Sequence, residues 1–122
     1  SLVDMAPSIL QACGIEIPRS MTGVNQLSTW KGETDARDHV LVENRHQPST
    51  IHVKTYINQR YKLTVYWKHE YGELFDLQED PSELNNRWND PNAADLKARL
   101  TRKLLDAELG KEPVPMPRVA PA

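Results

Sequence analysis

Hydrophobic and polar positions alternate with a period of two in the middle of the chain. The alternation is clearest in IHVKTYI (51–57) and YKLTVYWK (61–68), and the shorter HVLVEN (39–44) and ELFDL (73–77) are also rich in strand-forming residues. Successive side chains of a strand point to opposite faces, so this period predicts strands with one buried face. The NQR segment (58–60) is short enough to join the two longer strands in a hairpin.

Helical spacing of apolar residues marks both ends of the chain. It occurs in residues 4–13, where Asp4 is the predicted N-cap, and in residues 91–109, which follow Asp90 and a proline. Residues 14–38 are rich in turn formers and are predicted to be loop. The pattern as a whole predicts an α+β fold: about four antiparallel strands with a long C-terminal helix packed on one face, plus an N-terminal helix. The inner stripe of the long helix comprises Leu96, Leu100, Leu104 and Ala107.

The segment GELFDLQEDPSELNN (72–86) concentrates carboxylates between the last strand and the long helix. It lacks the alternating oxygen ligands and the central glycine of an EF-hand calcium loop. Asp80 precedes a proline and lies three residues before Glu83, which is the spacing of a helix capping box. We therefore expect these carboxylates to cap a short helical turn, and no metal site is predicted here.

Composition is that of a small globular domain. The 122 residues are 39% hydrophobic and 26% charged, with a formal net charge of −2. Such a chain has no basic surplus to attract nucleic acid or an anionic membrane, and no apolar run is long enough to span a bilayer. The single Cys13 excludes an internal disulfide and a cysteine-based zinc site. The opening SLVDMAP lacks the charged region of a signal peptide, and the missing initiator Met favours a processed or truncated chain, so the compartment (cytoplasmic, periplasmic or secreted) stays open.

The residues predict no catalytic group and no metal ligand. The chain has no P-loop, G-x-S-x-G or G-x-G-x-x-G motif, and HEYGE (69–73) departs from H-E-x-x-H at its fifth position. The four histidines show no metal-ligand spacing. Basic and aromatic residues interleave in RYKLTVYWK (60–68), as in a platform for single-stranded nucleic acid. On an acidic chain a solvated strand face is the preferred interpretation, and no nucleic-acid partner is predicted.

The loop predicted after the first strand offers groups suited to binding. Asn44, Arg45 and His46 supply an amide, a fixed positive charge and an imidazole. Binding residues often lie on loops that a rigid scaffold positions, and arginine pairs with planar oxyanions through two hydrogen bonds. We predict that these three residues bind substrate; a solvated surface loop is the alternative.

Several segments match, in order, the motifs of one enzyme family. GELFDLQEDPSELNN (72–86) resembles G-E-L-Y-D-L-x-x-D-P-x-E-x-x-N, and SLVDMAPSILQACGIEIP (1–18) resembles V-D-L-A-P-T-I-L-x-x-x-G-I. HVLVEN (39–44) and RYKLTVYW (60–67) resemble two strands that lie between those motifs. Together, over residues 1–109, they resemble the C-terminal subdomain of sulfatases, members of the alkaline phosphatase superfamily.

The resemblance implies that the chemistry lies in another part of a longer polypeptide. Sulfatases cleave sulfate esters with a formylglycine, made from the first residue of C-x-P-x-R or S-x-P-x-R, and with a divalent cation, expected here to be calcium. CGIEIPR (13–19) does not have that spacing, and no serine of the chain supplies it. The family's metal ligands and sulfate clamp lie upstream of the region that is resembled. The resemblance thus implies no cofactor in this chain itself.

The resemblance also divides the chain. Residues 1–38 would form the junction helix and loop from the catalytic domain, residues 39–110 the C-terminal subdomain and residues 111–122 a proline-rich tail. The subdomain would pair with the catalytic domain of the same polypeptide, close one side of its cleft and select a small-molecule or sugar sulfate ester through Asn44, Arg45 and His46. Two alternatives stay open: a phosphonate or phosphate ester hydrolase of the same superfamily, and a stand-alone binding module.

Overall fold

A computed structural model describes residues 1–46 and 51–111 of the chain. These residues fall into two compact units, one formed by Ser1–Arg37 with the described residues from Leu109 onwards, and the other by Asp38–Glu108. The described helices are α1 (Met5–Ala12), α2 (Leu27–Trp30) and α3 (Ala94–Leu109), and the strands are β1 (His39–Arg45), β2 (His52–Asn58), β3 (Tyr61–Tyr66) and β4 (Gly72–Asp76).

The four strands form one antiparallel sheet in the order β1-β2-β3-β4, so each strand pairs with its neighbour in the chain. Leu63 and Leu74 have no exposed surface and share one hydrophobic cluster with Leu100 and Leu104 of α3. The helix therefore covers one face of the sheet, which confirms the predicted α+β architecture with its C-terminal and N-terminal helices. The register aligns the core side chains of this face in one row: Leu41, Tyr56, Leu63 and Leu74.

The C-terminal helix begins where it was predicted, at Asp90. The Asp90 carboxylate accepts a hydrogen bond from the backbone N–H of Asn92 at 2.9 Å, and a 3₁₀ turn, Pro91–Ala93, leads into α3. Proline costs nothing at this position because its missing N–H has no partner in the first turn. The predicted inner stripe is also confirmed, with two leucines buried and the other two side chains packed against the cluster: Leu100, Leu104, Leu96 and Ala107.

Strand β2 reaches the core through Tyr56 and not through its aliphatic residues. Tyr56 is buried in the row that faces α3, whereas Val53 and Ile57 lie on the opposite face and are only partly buried. A shift of one residue in the register would exchange these two sets. The hairpin fixes the register, since the Asn58 carboxamide oxygen accepts the backbone N–H groups of Arg60 and Tyr61, at 2.9 and 2.7 Å.

The capping box predicted at Asp80 and Glu83 is wrong. The Asp80 carboxylate accepts the backbone N–H groups of Leu84 and Asn85, at 3.1 and 2.8 Å, in a turn that contains no helix. Glu83 has a φ of 54°, which is outside the helical region, and its carboxylate accepts a hydrogen bond from the Lys62 ammonium. The acidic run is thus structural as expected, but it organises a turn and an ion pair.

Asp76, in the same run, is a buried carboxylate that forms an ion pair with Arg60. Arg60 donates from Nε and Nη2 to Asp76 Oδ2, at 3.0 and 2.8 Å, and the Gln78 and Glu79 amides approach Oδ1 at 3.2 and 3.4 Å. The Asp76 side chain is only 3% exposed. The hydrogen bonds from Arg60 outweigh the effect of burial and lower the pKa of Asp76.

In the first unit, Asp4 does not cap α1 with its side chain. Its buried carboxylate instead accepts two hydrogen bonds from Arg37, at 3.0 and 2.6 Å, one from the Val24 amide at 2.8 Å and one from the Gln26 carboxamide at 3.1 Å. Burial opposes ionisation, but the hydrogen bonds from Arg37 and Val24 outweigh it and hold the pKa of Asp4 well below its usual value. Asp4 therefore ties together segments that are distant in sequence.

The region predicted as loop, residues 14–38, contains the single-turn helix α2, so that prediction is wrong in part. The Asn25 side chain accepts the Leu27 backbone N–H at 3.0 Å at the start of this turn. A helix of four residues is too short to show a hydrophobic period, which is why the sequence did not reveal it.

Removing the cap of α3 should destabilise the second unit. We expect Asp90→Ala to lower the thermal midpoint of the chain by roughly 4–8 °C, because the first turn loses its side-chain acceptor. Thermal unfolding followed by circular dichroism measures the change. Asp90→Asn is the matched control, since asparagine caps about as well as aspartate. An unchanged midpoint for the alanine variant would contradict the assigned helix start.

The Arg60–Asp76 pair should make stability depend on pH. The pKa of Asp76 is lower in the folded chain than in the unfolded chain, so its contribution is complete above the unfolded pKa and is lost as pH falls through the folded pKa. We expect the midpoint difference between the wild-type chain and Asp76→Asn to be largest at pH 7 and to shrink below about pH 4.

Asp106→Asn is a suitable comparison for this experiment. It removes an exposed pair with Arg102 on α3, whose atoms lie 3.0 Å apart, and such surface pairs contribute little. A difference for Asp76→Asn that stays constant from pH 7 to pH 3 would show that the charge of Asp76 is not the stabilising feature.

Candidate functional site

The sheet brings the end of β1, the start of β2, the end of β3 and the start of β4 to one end. We name this the loop end of the sheet; its described residues are 44–46, 51–53 and 66–73. The predicted substrate-binding residues, 44–46, belong to it and are all exposed. The loop end is therefore the candidate functional site.

The prediction that Asn44 and Arg45 lie in a loop is wrong, because β1 extends to Arg45, which pairs with His52. Consecutive strand residues point to opposite faces, so Arg45 lies on the face that α3 covers and Asn44 on the other face. His46 follows the strand, and its backbone N–H donates to the Ile51 carbonyl at 3.2 Å. The binding role of the three residues stays a prediction.

Two side chains that the sequence did not single out, His52 and Trp67, lie beside Arg45. Arg45 Nη2 donates to His52 Nε2 at 3.4 Å, and the Trp67 backbone N–H donates to the His52 carbonyl at 2.9 Å. The imidazole and indole rings are tilted by 53°, with centroids 6.0 Å apart. Lys68 Nζ lies 4.3 Å from the centroid of the Trp67 ring. An exposed indole thus has an ammonium, an imidazole and a guanidinium in its surroundings.

The nearby acidic side chains on this face take part in ion pairs. Glu43 Oε2 accepts from Lys54 Nζ at 2.7 Å, and the same ammonium donates to Glu108 Oε2 of α3 at 2.9 Å. Glu43 Oε1 lies 3.8 Å from His52 Nε2. Lys54 of β2 therefore links Glu43 of β1 to Glu108 of α3 and holds both carboxylates in place.

On the opposite face of the loop end, two tyrosines share one carboxylate oxygen. The hydroxyls of Tyr66 and Tyr71 donate to Glu73 Oε1 at 3.1 and 3.4 Å, and their rings are tilted with centroids 5.3 Å apart. Burial, and then the hydrogen bond to Glu73, raises the pKa of Tyr66, so its hydroxyl stays a donor at neutral pH. His69 approaches the Tyr66 ring edge-on at 6.5 Å. This face presents an aromatic and polar surface.

The interleaved strand, residues 60–68, does not present one continuous basic face. Arg60 is bound to Asp76 and Lys62 to Glu83. Of its aromatic and basic residues, Tyr66, Trp67 and Lys68 lie at the loop end, with Trp67 on the face that α3 covers. In the sequence, Trp67 and Lys68 are only an aromatic residue followed by a lysine, and the strand pairing shows which groups surround them.

The described residues do not provide the metal site that the sulfatase resemblance implies for the parent protein. Among residues 1–46 and 51–111, no three His, Cys, Asp or Glu side chains are grouped so that they could hold a metal ion. The oxygen atoms of Asp76 and Asp80 already accept hydrogen bonds from arginine and backbone groups. Calcium therefore does not fit these residues, and no step of hydrolysis is assigned to them. None of the helices in the described part is long and apolar enough to cross a membrane.

Comparison with known proteins identifies the family. Residues 1–109 match the family model described as N-sulphoglucosamine sulphohydrolase, C-terminal. The chain belongs to this sulfatase family. The Delta 4,5-hexuronate-2-O-sulfatase of Bacteroides thetaiotaomicron is 30% identical over 108 residues, which are 85% of this chain and 22% of that protein. Human arylsulfatase K is 36% identical over 98 residues, which are 70% of this chain and 18% of that protein.

Solved structures show the same fold. A protein in complex with its substrate D-glucosamine-2-N,6-O-disulfate superposes with a TM-score of 0.79 at 22% identity, over 88% of this chain and 24% of that one. The phosphonate monoester hydrolase of Silicibacter pomeroyi gives a TM-score of 0.76 at 25% identity, over 90% of this chain and 25% of that one. The resemblance to sulfatases of the alkaline phosphatase superfamily is confirmed, and the chain spans about a quarter or less of these proteins.

Calcium binding by the acidic run, residues 72–86, can be measured directly. We expect calorimetric titration of the 122-residue chain with calcium to show no binding at micromolar concentrations, because the carboxylates of Asp76, Glu83 and Asp80 are bound to arginine, lysine and backbone groups, respectively. Calcium binding that Asp76→Asn or Asp80→Asn abolishes would contradict this account of the run.

Proposed function

We propose that this chain is the C-terminal part of a sulfate ester hydrolase and that it selects substrate without taking part in the chemical step. The match to the sulfatase C-terminal family over residues 1–109 carries the proposal. The chain spans only 22% and 18% of two sulfatase relatives, so most of such an enzyme would lie in other residues. Sulfatases generally use a formylglycine and a metal ion, which we assign to the catalytic domain of the same polypeptide.

In this proposal the segments of the chain have separate tasks. Residues 1–38 join the subdomain to the catalytic domain, residues 39–110 form the subdomain and residues 111–122 form a tail, of which all but the first residue lie outside the described part. The subdomain closes one side of the active-site cleft with the loop end of its sheet. The exposure of residues 44–46 at that end supports this arrangement.

The proposed substrate is a sulfated sugar. One relative and one structural neighbour support this class, since the relative is named a hexuronate sulfatase and the neighbour contains a disulfated glucosamine. Such a molecule carries fixed negative charges on tetrahedral groups, and the Arg45 guanidinium binds them through charge-assisted hydrogen bonds. His46 adds a donor that is stronger when protonated, and Asn44 adds an uncharged donor on the opposite face of β1.

A phosphonate ester is the second candidate substrate class. The phosphonate monoester hydrolase of Silicibacter pomeroyi has the same subdomain fold at a TM-score of 0.76. Phosphonate and sulfate esters are both tetrahedral oxyanions, so a guanidinium recognises either of them. Comparing kcat/KM of the full-length enzyme on an aryl sulfate and an aryl phosphonate separates the two classes.

Substitution of the proposed selector residues should change binding and leave the chemistry intact. In the full-length enzyme, we expect Arg45→Ala and His46→Ala to raise KM for a sulfated oligosaccharide by about tenfold or more, with kcat nearly unchanged. Neither variant should change kcat/KM for a small aryl sulfate, which does not reach these residues. Steady-state kinetics on both substrates measures the difference.

Two controls make the result specific. Arg45→Lys keeps the charge but loses the planar pair of donors, so we expect an intermediate KM. Arg102→Ala removes an exposed arginine that pairs with Asp106 on α3, and we expect no change on either substrate. Equal losses of kcat on both substrates would place Arg45 in the catalytic machinery. Wild-type kinetics of Arg45→Ala and His46→Ala on both substrates would show that the loop end is a solvated surface with no role in substrate binding.

A further inference from the structure

Trp67 is a large aromatic side chain held in an exposed position at the loop end. It leaves 55% of its surface exposed, whereas tryptophan is usually well buried. Its backbone is not loose, since its N–H donates to the His52 carbonyl at 2.9 Å and so continues the pairing of β2 with β3. A fixed backbone and few rotatable bonds let an indole bind a ligand at low entropic cost.

The next residue, Lys68, adopts a backbone conformation that is rare for its type. Its φ of 60° lies in the left-handed region, which glycine and asparagine adopt more readily than lysine does. This conformation brings Lys68 Nζ to 4.3 Å from the centroid of the Trp67 ring. Backbone strain of this kind is often found at binding sites, where the surrounding structure maintains it.

Arg45 and His52 extend the same surface on the face that α3 covers. Arg45 is exposed and donates to His52 Nε2 at 3.4 Å, and the His52 ring lies 6.0 Å from the Trp67 ring. Because a guanidinium has five N–H donors, one long hydrogen bond leaves it able to bind an oxyanion as well. An indole with cations beside it suits a ligand that has an apolar face and negative charges at its rim.

The geometry points to a saccharide platform at the loop end, in which the Trp67 indole stacks on a sugar ring and Lys68 and Arg45 bind sulfate groups on that sugar. One face of a pyranose ring presents C–H groups, which pack on the electron-rich face of an aromatic ring. The attraction between an ammonium and an indole is weak at an exposed site, so Lys68 can turn from the ring towards a sulfate. The class of ligand rests on the proposed function; the site itself is a separate assignment.

The test uses the indole N–H signals of the ¹⁵N-labelled 122-residue chain, which contains three tryptophans. The chain is titrated with a sulfated heparin-derived tetrasaccharide, with the same tetrasaccharide after desulfation, and with a single-stranded thymidine oligonucleotide. We expect the Trp67 signal to shift and to saturate with the sulfated tetrasaccharide, with a Kd at least tenfold lower than for the other two ligands. Tighter binding of the oligonucleotide would overturn the assignment in favour of nucleic acid.

Variants at matched positions complete the test. Trp67→Ala should raise Kd at least tenfold, whereas Trp30→Ala, which removes a tryptophan of 56% exposure from the first unit, should leave Kd unchanged. Lys68→Gly removes the ammonium, so we expect weaker binding. Because glycine suits the left-handed backbone at this position, we expect no lower thermal midpoint. Equal affinities of the wild-type and Trp67→Ala chains would overturn the platform.

The test of the saccharide platform can be separated from the test of the proposed function. If the tetrasaccharide does not bind the chain, the platform is overturned, while the effect of Arg45→Ala on KM still decides the proposed function. If Trp67→Ala abolishes binding and Arg45→Ala leaves KM unchanged in the full-length enzyme, stacking of the sugar on Trp67 holds, and the sulfate contact of Arg45 is rejected together with substrate selection by that residue.

Discussion

The register of the sheet is the constraint on which the candidate site depends. Burial of one row of side chains against α3 fixes which residues of each strand share a face. Arg45 follows Leu41 by four positions, His52 precedes Tyr56 by four and Trp67 follows Leu63 by four. An even spacing keeps a residue on the same face, about 13 Å along the strand from the core row. The same packing that stabilises the subdomain therefore brings a guanidinium, an imidazole and an indole together at its end.

The outer edge of β4 shows why the family motif in residues 72–86 is structural. The Asn86 carboxamide accepts the Leu74 N–H at 3.0 Å and donates to the Gly72 carbonyl at 3.0 Å, and the Arg87 N–H donates to the Leu74 carbonyl at 2.8 Å. These bonds satisfy an edge that would otherwise expose its backbone to another chain. A Cβ on Gly72 would lie 2.5 Å from ring atoms of Trp88, so the motif's glycine allows that ring to pack closely. The first and last residues of the motif, Gly72 and Asn86, thus help to cover the outer edge of the sheet.

Sequence periodicity predicted the helices and strands in which many residues repeat one pattern. The sixteen residues of α3 contain several copies of one apolar spacing, and Asp90 with Pro91 marks its start, so both the helix and its buried stripe were found. Features set by a single distant partner were not found. Glu83 has capping-box spacing, yet it lies outside any helix and binds Lys62 of β3. Asp4 binds Arg37, and its side chain does not cap its own helix. In both cases a long-range ion pair takes the place of the expected local cap.

The same limit applies to the candidate site. The sequence indicated Arg45 and His46 because polar residues follow a strand, but the predicted strand ended one residue too early, at Asn44, and so left Arg45 in a loop. His52 and Trp67 had no distinguishing motif, since each is an ordinary member of an alternating strand or its extension. Their proximity to Arg45 follows from antiparallel pairing, which adjoins the end of one strand to the start of the next.

The second unit separates the charges that maintain its fold from those that can bind a ligand. Arg60 and Lys62, near the β2–β3 hairpin, are bound to the carboxylates of Asp76 and Glu83, and Arg60 donates to Asp76 from both Nε and Nη2. At the loop end, Arg45 hydrogen-bonds to an imidazole and Lys68 lies over an indole, and neither partner neutralises a positive charge as a carboxylate does. Binding an oxyanion there requires no ion pair of the core to break. This arrangement lets the loop end change its contacts while the register that positions it stays fixed.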